Sequence, residues 1–401
     1  MKITISKKVL QYTCAGMLVW ANLSAGSILS SFGLGEPAVT MNTRSMGMGF
    51  ISVSQDNPYY INMTNPAALY RMQYTMLYIQ YLYSGNNATD LNADHTSHYS
   101  NINQFAFALP LSSKFGFSAQ FSPKTRVDYT LGFKSVNDGY DYTESVAGTG
   151  GLNTFNISAY FSPLPFISIG VSNYYSFGRI DETWSVDYEN SEFSNTEDLF
   201  LSRNNGYGFR FGLLVRPVKT VSVGAVYSTA VTLNTDTDTS YRFEYDKYTY
   251  ASHHVLPSWF KGGISVTLFK KMIFSAEYGL TKWTELKIND LLAENTHDSQ
   301  SIGVGIEYLP TSKPTDGYLK KISYRAGFCS KPYLFTSANG NTIQETWLTC
   351  GLGLPLFGGS KIDVALNFGT RGDLEANGLS EKFIRLGLAV TTGEKWFMRR
   401  Y

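Results

Sequence analysis

From residue 72 onward, apolar side chains alternate with small or polar ones at a period of two. In 221–233 the odd positions are Val221, Val223, Ala225, Tyr227, Thr229, Val231 and Leu233, and the even ones are Ser222, Gly224, Val226, Ser228, Ala230 and Thr232. Ile302, Val304, Ile306 and Tyr308 alternate with Gly303, Gly305 and Glu307. Ile362, Val364, Leu366 and Phe368 alternate with Asp363, Ala365, Asn367 and Gly369. Successive side chains of a strand point to opposite faces. One face therefore suits hydrocarbon and the other a wet or plugged interior. The pattern predicts fourteen strands, at 72–83, 101–110, 115–126, 151–162, 166–177, 205–216, 220–233, 255–268, 273–285, 298–309, 321–333, 343–354, 360–370 and 381–391. Each is near the roughly 9–11 residues that a tilted strand needs to cross a bilayer.

The connections alternate between short and long. Short ones fall near 111–114, 163–165, 217–219, 269–272, 310–320 and 355–359, with prolines such as Pro110, Pro163, Pro217 and Pro355 in or beside them. Proline cannot donate to a ladder and marks strand ends. Long polar connections fall near 84–100, 127–150, 178–204, 234–254, 286–297, 334–342 and 371–380. An even-stranded outer-membrane barrel with both ends in the periplasm requires this asymmetry; a soluble β-sandwich has no reason for it. The fold class expected is all-β, a fourteen-stranded antiparallel transmembrane β-barrel in the cell outer membrane, embedded in its lipid.

Composition narrows the function. Charged residues are 16% of the chain and aromatics 15%, and the formal net charge is +1. Soluble domains carry about 25% charged residues. The chain has no electrostatic excess to hold phosphates, which excludes a strongly basic nucleic-acid binder, and no nucleic-acid partner is expected. Aromatic clusters near strand ends (Tyr78, Tyr81 and Tyr83; Tyr174, Tyr175 and Phe177; Trp259 and Phe260; Trp283; Tyr333 and Phe335) fit an interfacial belt. At the start, Lys2, Lys7 and Lys8 precede an apolar stretch around Met17-Leu18-Val19-Trp20, followed by Ser24, Ala25, Gly26 and Ser27. This layout predicts a signal peptide over 1–25. Cys329 and Cys350 alternate onto opposite faces and read as free thiols, since bridged residues must share a face.

Residues 26–71 do not alternate. They hold Arg44-Ser45-Met46-Gly47-Met48-Gly49 and Asn65-Pro66-Ala67-Ala68-Leu69. With the barrel behind them, these stretches resemble the N-terminal region of the FadL-like outer-membrane proteins, a structural group that includes the PorV-like barrels. Ala68 departs from the glycine many members carry. The resemblance implies a plug over 26–71 inside a barrel over 72–401, with Arg44, Gly47, Gly49, Asn65 and Pro66 as its motif residues. It also implies passive uptake of a hydrophobic small molecule such as a long-chain fatty acid; the alternative it implies is a scaffold that binds secretion-system proteins. A plug has an independent reason: about eight strands already enclose as much space as side chains fill.

Candidate chemistry is sparse. Inward positions carry Arg210, Glu277, Glu307, Arg325, Asp363 and Arg385. Arg210, Arg325 or Arg385 could attract a ligand carboxylate; the plainer reading is a plug-to-wall ion-pair network. Phe193, Leu199, Phe200 and Leu201 are candidates for an outer capture groove. All five histidines, at 95, 98, 253, 254 and 297, fall in expected outer loops. His95 and His98 lack a third spaced ligand, so no metal is expected. No phosphate loop, nucleophile elbow or zinc-protease motif is present. Neither a cofactor nor an enzymatic activity is expected.

Overall fold

A computed structural model describes residues 27–395, apart from 91–93, 138–139, 190–192, 244–246, 310, 312–314, 338 and 357–359. The expected signal peptide lies outside the described residues, as do Trp396 and Phe397, a further aromatic pair expected in the belt, and the aromatic Tyr401, which resembles the last residue of many outer-membrane barrels. Among the described residues fourteen antiparallel strands form the wall. They are β1 (Thr75–Asp90), β2 (Asp94–Pro110), β3 (in two pieces, Phe115–Pro123 and Thr125–Asn137), β4 (Tyr140–Leu164), β5 (Ile167–Tyr188), β6 (Thr196–Val218) and β7 (Val221–Ser228 and Val231–Ser240). There follow β8 (Tyr248–Leu256 and Trp259–Leu268), β9 (Met272–Thr281), β10 (Ser299–Tyr308), β11 (Ser323–Thr336), β12 (Thr342–Pro355), β13 (Lys361–Asp373) and β14 (Leu379–Glu394). Strand β14 closes on β1, in register from Thr75 opposite Glu394 to Asp90 opposite Leu379. Closure leaves no edge at that seam, which is what a chain in hydrocarbon needs.

The outward face is the lipid face. Ile157, Val171, Phe211, Ile264, Val304, Leu352 and Ile384 are exposed large apolar side chains on different strands. Tyr175 stacks on Phe177 at 5.4 Å and meets Tyr207 at 4.8 Å, and Phe121 joins them at 6.3 Å from Phe177. Beyond this belt the outward residues become charged: Arg179 pairs with Asp181 at 2.6 Å and Arg203 with Asp238 at 2.8 Å. The change from rings to charges marks the outer lipid boundary.

Several expected long loops are strand instead. Residues 84–90, 94–100, 127–137, 140–150, 178–188, 196–204 and 234–240 all lie on wall strands. His95, His98, His253 and His254 therefore sit on β2 and β8, not in loops. The expected single alternation over 221–233 changes face at the break between the two pieces of β7: Val223 and Tyr227 are exposed, whereas Val231 and Leu233 are buried inside, and alternation then persists to Ser240, so the ladder continues past the membrane. Strand β4 has 25 residues, far more than the roughly 11 needed for a span. Cys329 is buried opposite Trp347, and Cys350 is exposed opposite Ala326; both are free.

The N-terminal segment fills the lumen. Asn42 caps the short helix Thr43–Met46 by accepting from the Ser45 N–H at 2.9 Å. Asn65 caps the 3₁₀ turn Pro66–Arg71 and also donates to the Val53 carbonyl at 2.7 Å and to the Leu213 carbonyl of β6 at 3.1 Å. The first wall strand then begins at Thr75, three residues later than expected. Gly49 has a φ of +66°, and a Cβ there would meet the Val304 and Phe328 carbonyls. A Cβ on Gly212 would collide with Asn65 and Pro66. The small inward residues of the wall are thus the seat of the plug, which packs backbone against backbone. Met46, Met48, Ile51 and Val53 are completely buried.

Candidate functional site

Two clusters of buried charge tie plug to wall, and every carboxylate in them is ion-paired. In the inner cluster Arg325 donates from Nε to Glu307 at 2.8 Å, from Nη1 to Asp363 at 2.6 Å and from Nη2 to the Tyr60 hydroxyl at 2.7 Å. Arg44 of the plug forms a second ion pair with Glu307 and donates to Gln55. Two guanidiniums face two carboxylates, and Lys361 lies over the Tyr60 ring, 4.6 Å from its centre. Burial pushes the Tyr60 phenol well above its ordinary range, so it stays protonated. The Arg325 side chain is 0% exposed. Of the candidate ligand-binding arginines, this one is committed to structure.

The outer cluster holds Glu36 of the plug. Arg371 bonds Glu36 at 2.6 Å, Glu345 at 3.1 Å and Glu381 at 2.9 Å. Lys331 lies 3.5 Å from Glu345. Arg385 lies 3.6 Å from Glu36 and stacks over Trp347 at 4.3 Å. Three cations face three carboxylates, so Arg385 too is paired. Burial alone would raise the Glu36 carboxyl, but Arg371 and Arg385 outweigh it and hold the group below 4.5. A carboxyl with a depressed folded pKa stabilises the fold above its unfolded value, and that contribution fades as pH falls through the folded one. The Glu36 anchor should therefore hold at neutral pH and release only in acid, as pH falls below the ordinary carboxylate range. Limited proteolysis of the N-terminal segment in the intact barrel should accelerate below that range. Glu36→Gln should be as susceptible at pH 7 as the parent protein is in acid.

Arg210 is different. Its Nη1 donates to the Met63 carbonyl at 2.9 Å, and its guanidinium lies over Trp259 at 5.1 Å and Tyr174 at 5.7 Å. The Lys124 ammonium lies over the same Tyr174 ring, 4.9 Å from its centre. Among the described residues neither cation has an ion-pair partner, and the buried Nε of Arg210 has no hydrogen-bond partner. Both line a cavity of about 270 Å³ in the outer lumen whose remaining walls include Phe32, Leu34, Trp259, Trp283, Leu286 and Phe335. Leu29, Leu286, Tyr333, Leu334 and Phe335 belong to an apolar cluster that continues this wall.

The sequence reading placed several of these rings wrongly. Trp259, Trp283 and Phe335 line the outer-lumen cavity, and Tyr78 is buried and accepts from the Thr43 N–H at 2.8 Å. Proximity to a strand end does not show which face of the strand a ring occupies. Phe193 and Phe200 line none of the outer-lumen cavities described here; Phe193 meets Tyr188 at 5.0 Å, and Phe200 packs with Trp184 and Tyr241 on the extended wall. Lys124 escaped notice. Its signal was Pro123 just before it, a proline inside an alternating run, which marks a bulge or break.

That break opens the wall. Strand β2 pairs with β3 only from Phe105 opposite Phe121 to Pro110 opposite Gly116. Beyond Lys124 the outer piece of β3 pairs with β4, while its other edge takes the N-terminal segment: Glu36 and Pro37 pair with Arg126 and Thr125, and Ser30 bonds the Asp128 backbone. Ala38 donates to the Lys124 carbonyl at 2.9 Å, and Asn103 and Gln104 of β2 donate to the Val39 carbonyl at 2.8 and 3.0 Å. Behind the breach lies a polar cavity of about 440 Å³, lined by Ser97, Tyr99, Asn101, Arg126 and Arg179 among others. Pro37 and Ala38 line this cavity and the apolar one alike. The plug segment is the partition between an apolar pocket and a lateral breach.

Comparisons agree with the barrel. A family model described as BamG matches residues 5–401. The structure is similar to the Pseudomonas putida toluene transporter TodX (14% identity, TM-score 0.60, covering 90% of this chain and 98% of that one). It is similar to the Ralstonia pickettii toluene transporter TbuX (15%, 0.58, 88% and 98%) and to a Pseudomonas aeruginosa FadL homologue (13%, 0.59, 89% and 99%). No curated protein matches the chain.

Proposed function

We propose, from the premise that the chain belongs to the BamG family, that this outer-membrane barrel is a passive passage for hydrophobic small molecules, taking carboxylate-ended amphiphiles such as long-chain fatty acids in particular. The carrying observation is the charge imbalance of the apolar cavity. In both buried clusters the guanidiniums are ion-paired with carboxylates, whereas Arg210 and Lys124 line a cavity that holds no carboxylate among the described residues. A buried cation without a partner is costly. An anionic head brought by an apolar ligand would supply that partner, and the rings would take its chain. Channels of similar fold are described as toluene transporters, which supports an apolar cargo. The breach beside Lys124 supplies a lateral way out, and the packed inner half of the plug leaves diffusion along the wall as the route. No energy source or catalytic step is needed. The filled inner half also favours a second reading, a scaffold that binds protein partners through its outer strands.

Titration of the purified barrel separates the two. A long-chain fatty acid and toluene should each change the fluorescence of Trp259 and Trp283, saturably, and cells lacking the protein should take up both more slowly. A barrel that binds neither and whose loss leaves uptake unchanged would favour the scaffold.

A further inference from the structure

The end of the barrel that carries the short turns is basic and apolar at once. Phe269 and Lys270 are the central residues of the turn between β8 and β9, closed by the Lys271 N–H donating to the Leu268 carbonyl at 3.1 Å. Both lie in the left-handed region, with φ of +52° and +57°. Such turns favour Asn-Gly, and a bulky residue there is an outlier that asks for a functional reason. Phe269 is nevertheless 87% exposed. The pattern repeats. Val218 is exposed beside Lys219 in the β6–β7 turn, Leu319 is 71% exposed beside Lys320 before β11, and Leu111 is exposed near Lys114 in the β2–β3 turn. Among the described residues none of Lys114, Lys219, Lys270, Lys271 and Lys320 is in an ion pair. The few carboxylates at this end are Asp56, Asp316 and Glu394; Asp56 is taken by Arg216 at 3.0 Å and Arg71 at 3.4 Å.

We infer that this rim is a binding ring for anionic phospholipid headgroups of the inner leaflet, with the apolar turn tips inserted at the acyl boundary and the lysines on the phosphates. Three features favour lipid over an acidic protein. The apolar tips continue the lipid-facing row: Ile264 and Leu268 are exposed on β8, and Phe269 follows in the turn. The ammoniums follow within one to three residues, at the depth where headgroups begin and where long basic side chains reach outward. The basic turns belong to four separate hairpins spread around the barrel, so they meet a surrounding medium, whereas a protein would meet one sector. Basic side chains at a leaflet surface add attraction to anionic lipid, each by an amount that salt screens.

The test uses the intact barrel reconstituted in phosphatidylcholine with spin-labelled phosphatidylglycerol or spin-labelled phosphatidylcholine as the probe. The parent protein should hold the anionic label in preference, and 1 M salt should remove most of the preference. The variant K219Q/K270Q/K271Q/K320Q should lose about tenfold of it, while the corresponding lysine-to-arginine variant keeps it. Should the glutamine variant fail to assemble, the salt series on the parent protein decides alone. Equal association of the two labels with the parent barrel overturns the inference, as does a preference that survives both salt and the glutamine variant. Binding of an acidic periplasmic protein without lipid preference also overturns it.

Discussion

Arg325→Met should destabilise the plugged barrel by about 3–5 kcal/mol, the range seen when one partner of a buried ion pair is removed. The side chain is fully buried and spends its Nε, Nη1 and Nη2 on Glu307, Asp363 and the Tyr60 hydroxyl. Removing it strands Asp363, whose Oδ2 already lacks a partner, and leaves Glu307 to Arg44 alone. Arg44 belongs to the plug and Glu307 to β10, 263 residues later, so the loss should loosen the plug before the wall. Urea unfolding in lipid vesicles should show the drop, with protease reaching the N-terminal segment at lower urea than it reaches the strands. A further variant sharpens the claim. Combining Arg325→Met with Glu307→Leu and Asp363→Leu removes the stranded carboxylates, and apolar replacement of a whole buried network is often nearly neutral. This triple variant should recover part of the loss, the remainder reflecting Arg44 left unpaired. Equal stability of Arg325→Met and the parent protein would sink the view that this cluster holds the plug.

The wall was legible because one rule repeats along it. Period-two alternation located all fourteen strands and set Arg210, Glu307, Arg325, Asp363 and Arg385 on the inner face, and Asn65-Pro66 marked the turn into the barrel. Parity cannot say more. Arg325 and Arg210 obey the same alternation, yet one meets two carboxylates and the other none. The difference depends on which wall and plug residues lie opposite, and such pairings join residues far apart in the chain: Tyr60 and Asp363 are separated by 303 residues, Glu36 and Arg371 by 335. The extended outer strands were missed for a related reason. Polar composition reads as loop, although a ladder above the membrane needs no greasy outer face. Trp259 and Trp283 looked like belt residues because their neighbours do; only the closed lumen shows that they face inward.

Arg210→Met should weaken binding of a long-chain fatty acid to the barrel by about tenfold to a hundredfold, since a charge-assisted hydrogen bond contributes about 1.5–3 kcal/mol. Lys124→Met should act in the same direction, and the double variant should exceed either. The uncharged alcohol of equal chain length is the control. It fills the same apolar walls without engaging either cation, so its affinity should stay within about threefold. Arg210 also stacks on Trp259 and Tyr174, and Met keeps most of that apolar contact, so the comparison isolates charge. The buried position adds a second signature. High salt screens exposed charges far more than buried ones, so fatty-acid affinity should fall little between 0.1 and 1 M salt. Calorimetric titration of both ligands against the parent barrel and the variants measures each term. If acid and alcohol lose affinity together, the cations merely support the pocket. If neither loses any, the anionic head lies elsewhere and the cavity beside Lys124 is a passage for neutral hydrocarbons alone.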